Sequence, residues 1–119
     1  MNREAPAGLV ISNLTEQAHC NGTYQKRAEE VNGVAAYQQL EDPDKWLCFC
    51  SNNTWTVQEP AKKGQNHGWL QTAESHSVPW EGSTSWKEIH GVNDWRDAAS
   101  IKVEVLSLQD IKKLEVGSL

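Results

Sequence analysis

The sequence predicts an all-β domain, an antiparallel meander or small sandwich of short hairpins, roughly six to eight strands closed by a short C-terminal helix. Three observations carry this. Asn-Gly occurs at Asn21-Gly22 and Asn32-Gly33, and that pair suits the two-residue hairpin turn, which needs positive φ at both central positions. Apolar and polar residues alternate in "IKVEVL" and, less strictly, in "WLCFC" and "NTWTV". Six tryptophans stand against one phenylalanine and two tyrosines. An indole buries a large area and keeps one N–H for a partner, which suits a thin core or a binding face.

Between the two Asn-Gly pairs lies "TYQKRAEEV", about one strand long, so the repeat reads as two successive reversals. Pairing Val31 with Val34 sets Ala28 opposite Tyr37 and puts Tyr24, Ala28, Ala35 and Tyr37 on one face. Lys26 and Glu30 fall on that same face, which a bulge would accommodate. "EDPDK" has Pro43 where a type I turn favours it and returns the chain into "WLCFC". A two-residue turn at Asn52-Asn53 would then oppose Cys50 to Trp55 and Cys48 to Val57. Trp46, Cys48, Cys50, Trp55 and Val57 would share a face, with Leu47, Phe49, Thr54 and Thr56 on the other.

"EPAKKGQNHG" reads as loop, "WLQTA" as strand, "ESHSVPWEGSTS" as loop, "WKEIH" as strand and "GVNDWRDAAS" as loop. "IKVEVL" directs Ile101, Val103 and Val105 inward. The period then changes. Ser107 and Asp110 form a capping box, and Leu108, Ile111 and Leu114 make one stripe of a helix near residues 108–115. Residues 1–106 are thus expected as one antiparallel β domain and 107–119 as an amphipathic helix and tail.

Charge and composition exclude several classes. The net charge is -5 and the pI about 5.3, with Lys and Arg scattered, so a nucleic-acid partner is not expected. No run approaches the ~20 apolar residues of a membrane span, so the chain reads as soluble and not membrane-spanning. The start "MNREAPAG" lacks the apolar middle of a secretory signal, which by itself assigns no compartment.

Cys20, Cys48 and Cys50 allow one internal disulfide at most and read as reduced structural thiols, although three Asn-x-Thr sequons begin at Asn13, Asn21 and Asn52. A zinc site from His19, Cys20, Cys48 and Cys50 has the right ligand types but not the usual Cys-x₂₋₄-Cys arms, so neither a metal nor another cofactor is expected. His19, His67, His76 and His90 accompany no recognised catalytic motif, and no catalytic residue is assigned.

Binding remains. Trp80 and Trp95 lie in turn-rich segments beside Glu81, Asp94 and Arg96, a pairing of apolar ring and hydrogen-bonding group that sugars and peptides use. Trp80, Trp95, Trp86 and Arg96 are the candidate ligand-binding residues. Leu108, Ile111 and Leu114 are the candidate stripe for docking a protein partner.

The segments "NGTY", "NGVAAY", "WLCFC" with "NTWTV", "GWLQTAESHSVPWEGSTSW" and "DAASIKVEVL" together resemble a small Trp/Tyr-rich β module that recurs, often in tandem, in large algal and protist proteins. The resemblance runs from about Leu9 to Leu106. It implies an all-β domain with an interaction or scaffolding role, and it supplies no catalytic residue. The expected function is therefore a non-catalytic binding or scaffolding module, an accessory subunit of a larger protein assembly. The competing classes are a carbohydrate-binding module that uses its Trp rings and, behind it, a small enzyme or zinc-binding domain.

Overall fold

The computed structural model describes residues 5–117, with the side chains of 115–117 excepted. Nine strands form one antiparallel sheet: β1 (Gly8–Ser12), β2 (Gly22–Val31), β3 (Val34–Gln39), β4 (Trp46–Phe49), β5 (Trp55–Gln58), β6 (Leu70–Thr72), β7 (Trp86–His90), β8 (Asp94–Asp97) and β9 (Lys102–Leu106). A helix, α1 (Leu108–Gly117), follows. The all-β class and its terminal helix are as the sequence predicts, and a meander forms instead of a sandwich.

Strands β1 to β8 are neighbours in chain order, while β9 pairs with β1 on the side away from β2, giving the order β8-β7-β6-β5-β4-β3-β2-β1-β9. Laid flat, nine strands would separate β8 from β9 by about 38 Å at the usual interstrand spacing. The link 98–101 reaches at most about 18 Å when fully extended. The sheet must therefore curl until its two edges approach. Because β8 runs antiparallel to β7 and β9 antiparallel to β1, the two share a direction. They act as one strand that bends at residues 98–101, leaves β7 and joins β1.

The curl encloses one core. Leu9 and Ile11 from β1, Tyr24 from β2, Tyr37 from β3, Leu47 from β4, Trp55 and Val57 from β5, Leu70 from β6 and Trp86 from β7 all point into it. Tyr24 and Tyr37 are fully buried, so their hydroxyls need partners. Tyr24 donates to the Cys20 carbonyl at 2.7 Å and Tyr37 to the Pro6 carbonyl at 2.8 Å.

Asn32-Gly33 forms the expected turn: Asn32 has φ 52 and Gly33 φ 85, and Val31 pairs with Val34. A register shift between Lys26 and Glu30 then brings Tyr37 opposite Lys26 instead of Ala28. The other pair behaves differently. Asn21 is extended, with φ -65 and ψ 133, its side chain exchanges hydrogen bonds with the Leu14 backbone, and Gly22 opens β2. The β1–β2 reversal instead uses residues 13–21, including a 3₁₀ turn at Ala18–Cys20.

The β4–β5 register also departs from expectation. Phe49 opposes Trp55, and Leu47 opposes Val57. The cause is a turn one residue longer than a two-residue loop: the Cys50 N–H donates to Thr54 O, the Asn53 N–H donates to Cys50 O, and Asn53 takes φ 65. One extra residue exchanges the faces. Leu47, Trp55 and Val57 go inside, while Trp46 and Cys48 join Ala36 and Val31 in a second cluster. The β5–β6 connection folds back over this cluster, with Lys63 Nζ 4.0 Å from the Trp46 ring centre and 2.8 Å from a Glu29 carboxylate oxygen.

"DWRD", expected as loop, is the strand β8, reached through Gly91 and Asn93 at positive φ. Ile101, just before β9, and Val103 within it pack on the core, and Val105 lies on the same face, opposite Leu9, but is 53% exposed. The capping box is present: Asp110 accepts from the Ser107 N–H at 2.9 Å, and the Asp110 N–H donates to Ser107 Oγ at 3.1 Å. Of the helix stripe, Ile111 is buried against Gly8, while Leu108 and Leu114 are exposed.

Two glycines give a matched test of packing. A Cβ on Gly68 would lie 2.4 Å from the Val57 carbonyl oxygen, whereas one on Gly82 would meet nothing within 4 Å. Gly68→Ala should therefore lower stability by about 1–3 kcal/mol, and Gly82→Ala should leave it within about 0.5 kcal/mol, both read from urea midpoints. At the helix, hydrogen bonds from the Ser107 N–H and hydroxyl hold Asp110 below its ordinary value near 3.8. Its contribution is complete above that value and is lost as pH falls through the lowered one. Carbon secondary shifts over residues 108–114 should report loosening of the helix start in that acid range, and Asp110→Asn should flatten the dependence.

Candidate functional site

The two ends of the rolled sheet differ. One is plugged by residues 13–21. There Gln39 Nε2 donates to Tyr24 Oη at 3.1 Å and to the His19 carbonyl at 3.2 Å, and the buried Glu88 carboxylate accepts from the Gln17 N–H at 3.0 Å. His19 sits edge-on to Trp69 with ring centres 4.9 Å apart, and the Lys45 ammonium lies 5.1 Å from the same indole while pairing with Asp42 at 2.6 Å. Burial, followed by the nearby Lys45 charge, lowers the His19 pKa.

The described residues leave the opposite end open. A cavity of about 440 Å³ is lined by the start of β3 (Val34, Ala35), the end of β4 (Phe49), the start of β5 (Trp55) and the β6–β7 loop (His76 to Val78, Trp80, Glu81), with Ala5 at its edge. That loop is fixed in place. Pro79 is fully buried, Thr84 Oγ1 donates to the Val78 carbonyl at 2.6 Å, and the His76 N–H donates to the Asn53 carbonyl at 2.7 Å. His76 and Asn53 both hold positive φ, 67 and 65, a conformation that costs free energy in residues other than glycine and recurs at ligand-binding loops.

The walls are aromatic. Trp55 and Trp80 stand with ring centres 5.8 Å apart at 70°, and Phe49 lies 5.7 Å from Trp55 at 53°. Tyr37 meets both indoles, at 6.3 Å and 6.4 Å. Edge-to-face and tilted contacts are the arrangements aromatic rings prefer over a face-to-face sandwich; Trp55 is buried, and Phe49 and Trp80 are half-buried.

Of the residues singled out from sequence, Trp80 lines this cavity. Trp86 is 3% exposed and faces the core, so its ring is covered. Trp95 lies on β8 opposite Ile89, half-buried, and Arg96 lies opposite Glu88, its guanidinium 2.7 Å from Asp94. Trp80, Trp86 and Trp95 therefore form no common platform. Phe49 and Trp55 complete the cavity but carry no signal for it in the sequence, because the two-residue turn expected at Asn52-Asn53 places them on opposite faces. The segment "VPWEG" did mark Trp80 and Glu81.

The thiols are dispersed. Cys20 is in the central core and Cys48 in the outer cluster, and among the described residues no three His, Cys, Asp or Glu side chains gather as a metal site. Cys20 Sγ lies 3.9 Å from His19 Nδ1. Burial pushes the Cys20 and Cys48 thiols up to about 12 and also raises Cys50, so all three stay protonated near neutrality. Among the described residues no helix is long and apolar enough to cross a membrane. Comparisons with protein-family models, curated proteins and solved structures give no match to this chain.

Iodoacetamide at pH 8 should alkylate Cys20 and Cys48 in the folded protein on the order of a thousandfold more slowly than in urea, as the loss of thiolate demands. A thiol raised in the folded state stabilises fully below its unfolded value of 9.0 and loses that contribution as pH climbs towards about 12. Urea midpoints measured over that alkaline range should accordingly decline.

Proposed function

We propose that this protein is a non-catalytic binding module whose site is the aromatic cavity at the open end of the rolled sheet, and that it serves as an accessory unit of a larger protein assembly. The observation that carries the reading is the juxtaposition of Phe49, Trp55 and Trp80 around about 440 Å³ of open space. A concave apolar site with a few polar groups, here His76, Ser77 and Glu81, is the usual form of a small-ligand pocket. Exposed Leu108 and Leu114 on α1 and Val105 on β9 support contact with a protein partner. The non-catalytic part of the reading is supported by thiols that burial keeps protonated.

A glycan reading rests on a different place, the half-buried Trp95 beside the Asp94–Arg96 ion pair. Nile red, a neutral dye, should bind the cavity with one-to-one stoichiometry and a blue-shifted emission. Trp80→Ala should weaken it at least tenfold, about the loss expected from one aromatic wall, and Val34→Trp should block it by filling the mouth. Failure of the dye to bind, or equal binding to Val34→Trp, would remove the cavity reading. A glycan whose binding is lost in Trp95→Ala but kept in Trp80→Ala would install the alternative.

A further inference from the structure

We infer that the free edge of β9 pairs with β9 of a second copy of this chain, joining two rolled sheets into a symmetric dimer through antiparallel strands. The inference goes beyond the cavity reading and does not rest on it. The hydrogen-bonding direction of β9 follows from its neighbours. The Lys26 N–H donates to the Ala7 carbonyl at 2.9 Å, so in the unbroken β1–β2 register Ala7, Leu9 and Ile11 turn their backbone groups towards β2, and Gly8, Val10 and Ser12 turn theirs towards β9. Gly8 pairs with Leu106, Val10 with Glu104 and Ser12 with Lys102. The N–H and carbonyl groups of Val103 and Val105 therefore point away from β1. Among the described residues no strand lies beyond β9 to take them. The segment before β7 stops short of this edge: a cleft of about 230 Å³ separates Gly82 and Thr84 from Ile101, Lys102 and Val103, and a Cβ on Gly82 would meet nothing within 4 Å.

The sequence of this edge decides the occupant. Sheet edges commonly carry charges that discourage pairing, and Lys102 and Glu104 stand exposed on the outer face with Nζ and Oε1 3.8 Å apart. Their signs are opposite and they are separated by one residue, which makes the strand complementary to itself in one antiparallel register. Centred on Val103, that register sets Lys102 of each copy against Glu104 of the other, and symmetry repeats the pair. These are non-hydrogen-bonded positions, where cross-strand side chains come closest. The Val103 backbone groups then bond reciprocally, and the Val105 N–H of each copy meets the Ile101 carbonyl of the other. On the inner face Val105, exposed in the single chain, gains Ile101 of the second copy as its cross-strand neighbour. A register centred on Glu104 would put two carboxylates directly opposite each other, and a parallel in-register pairing would align like charges along the edge. An edge this short supports weak association, with a Kd on the order of 100 µM.

The test is a charge exchange followed by sedimentation equilibrium of the full chain at low salt, from about 10 µM to about 1 mM, a range that brackets the expected Kd. The unaltered chain should pass from monomer to dimer across it. Lys102→Glu and Glu104→Lys should each weaken the dimer at least tenfold, because each replaces both attractive pairs with repulsive ones, while their urea midpoints stay close to that of the unaltered chain, since both side chains are exposed. An equimolar mixture of the two variants should dimerise again, as each supplies the charges that the other lacks. Isotope-filtered nuclear Overhauser contacts between differently labelled copies should join the α protons of Lys102 and Glu104. A chain that remains monomeric at the top of the range would overturn the inference. So would a dimer that either single variant leaves intact, or a mixture of the two variants that stays monomeric.

Discussion

Closure of the sheet is the constraint on which the rest depends. A meander of β1 to β8 could lie open, with one apolar face unprotected. The chain instead bends at residues 98–101 and sends β9 to the free side of β1, and the short link forbids a flat arrangement. Once the edges approach, every inward residue contributes to one interior. That interior is narrow, and Tyr24, Tyr37, Trp55 and Trp86 are the largest side chains in it. The hydroxyls of both tyrosines are satisfied at opposite places, one on the plug at Cys20 and one on the incoming chain at Pro6.

A filled interior moves any ligand to an end. The plugged end is sealed by buried hydrogen bonds from Gln17, Gln39 and Tyr24, groups that would lose more in free energy by being left unsatisfied than they gain by being paired. Among the described residues the open end has no such seal. Its floor and walls continue the aromatic core outward, from Tyr37 through Trp55 to Trp80, so the residues that stabilise the fold also shape the site. The thiols and the outer cluster beneath Lys63 lie apart from the cavity lining.

Much of this arrangement can be read from sequence, and the failures have physical causes. Asn32-Gly33 signals its turn because both residues accept positive φ, and the capping box at Ser107 and Asp110 is equally local. Asn21-Gly22 carries the same letters but is extended, since the side chain of Asn21 finds partners in the Leu14 backbone. At Asn52-Asn53 the residues tolerate either of two turns, and the longer one exchanges the faces of β4 against β5. That single ambiguity hides the meeting of Phe49 with Trp55 and with it most of the cavity. Strand β8 escapes notice because "DWRD" has neither alternation nor β-branched residues. Its strand character comes from pairing with β7, a tertiary cause that local propensity does not record.

The single non-sequential ladder also governs the order in which structure forms. Seven of the pairings, β1–β2 through β7–β8, join chain neighbours and can assemble hairpin by hairpin. The β1–β9 ladder brings Gly8 to Leu106, and its closure carries an entropic cost that grows with the logarithm of the intervening length. Preformed hairpins shorten that effective loop, so the seam closes last and its rate depends on the curvature already built by the others. Until then the free edge of β1 offers unpaired backbone to solvent or to a neighbouring chain, and the arrival of residues 102–106 covers it, leaving β8 and β9 as the edges of the sheet.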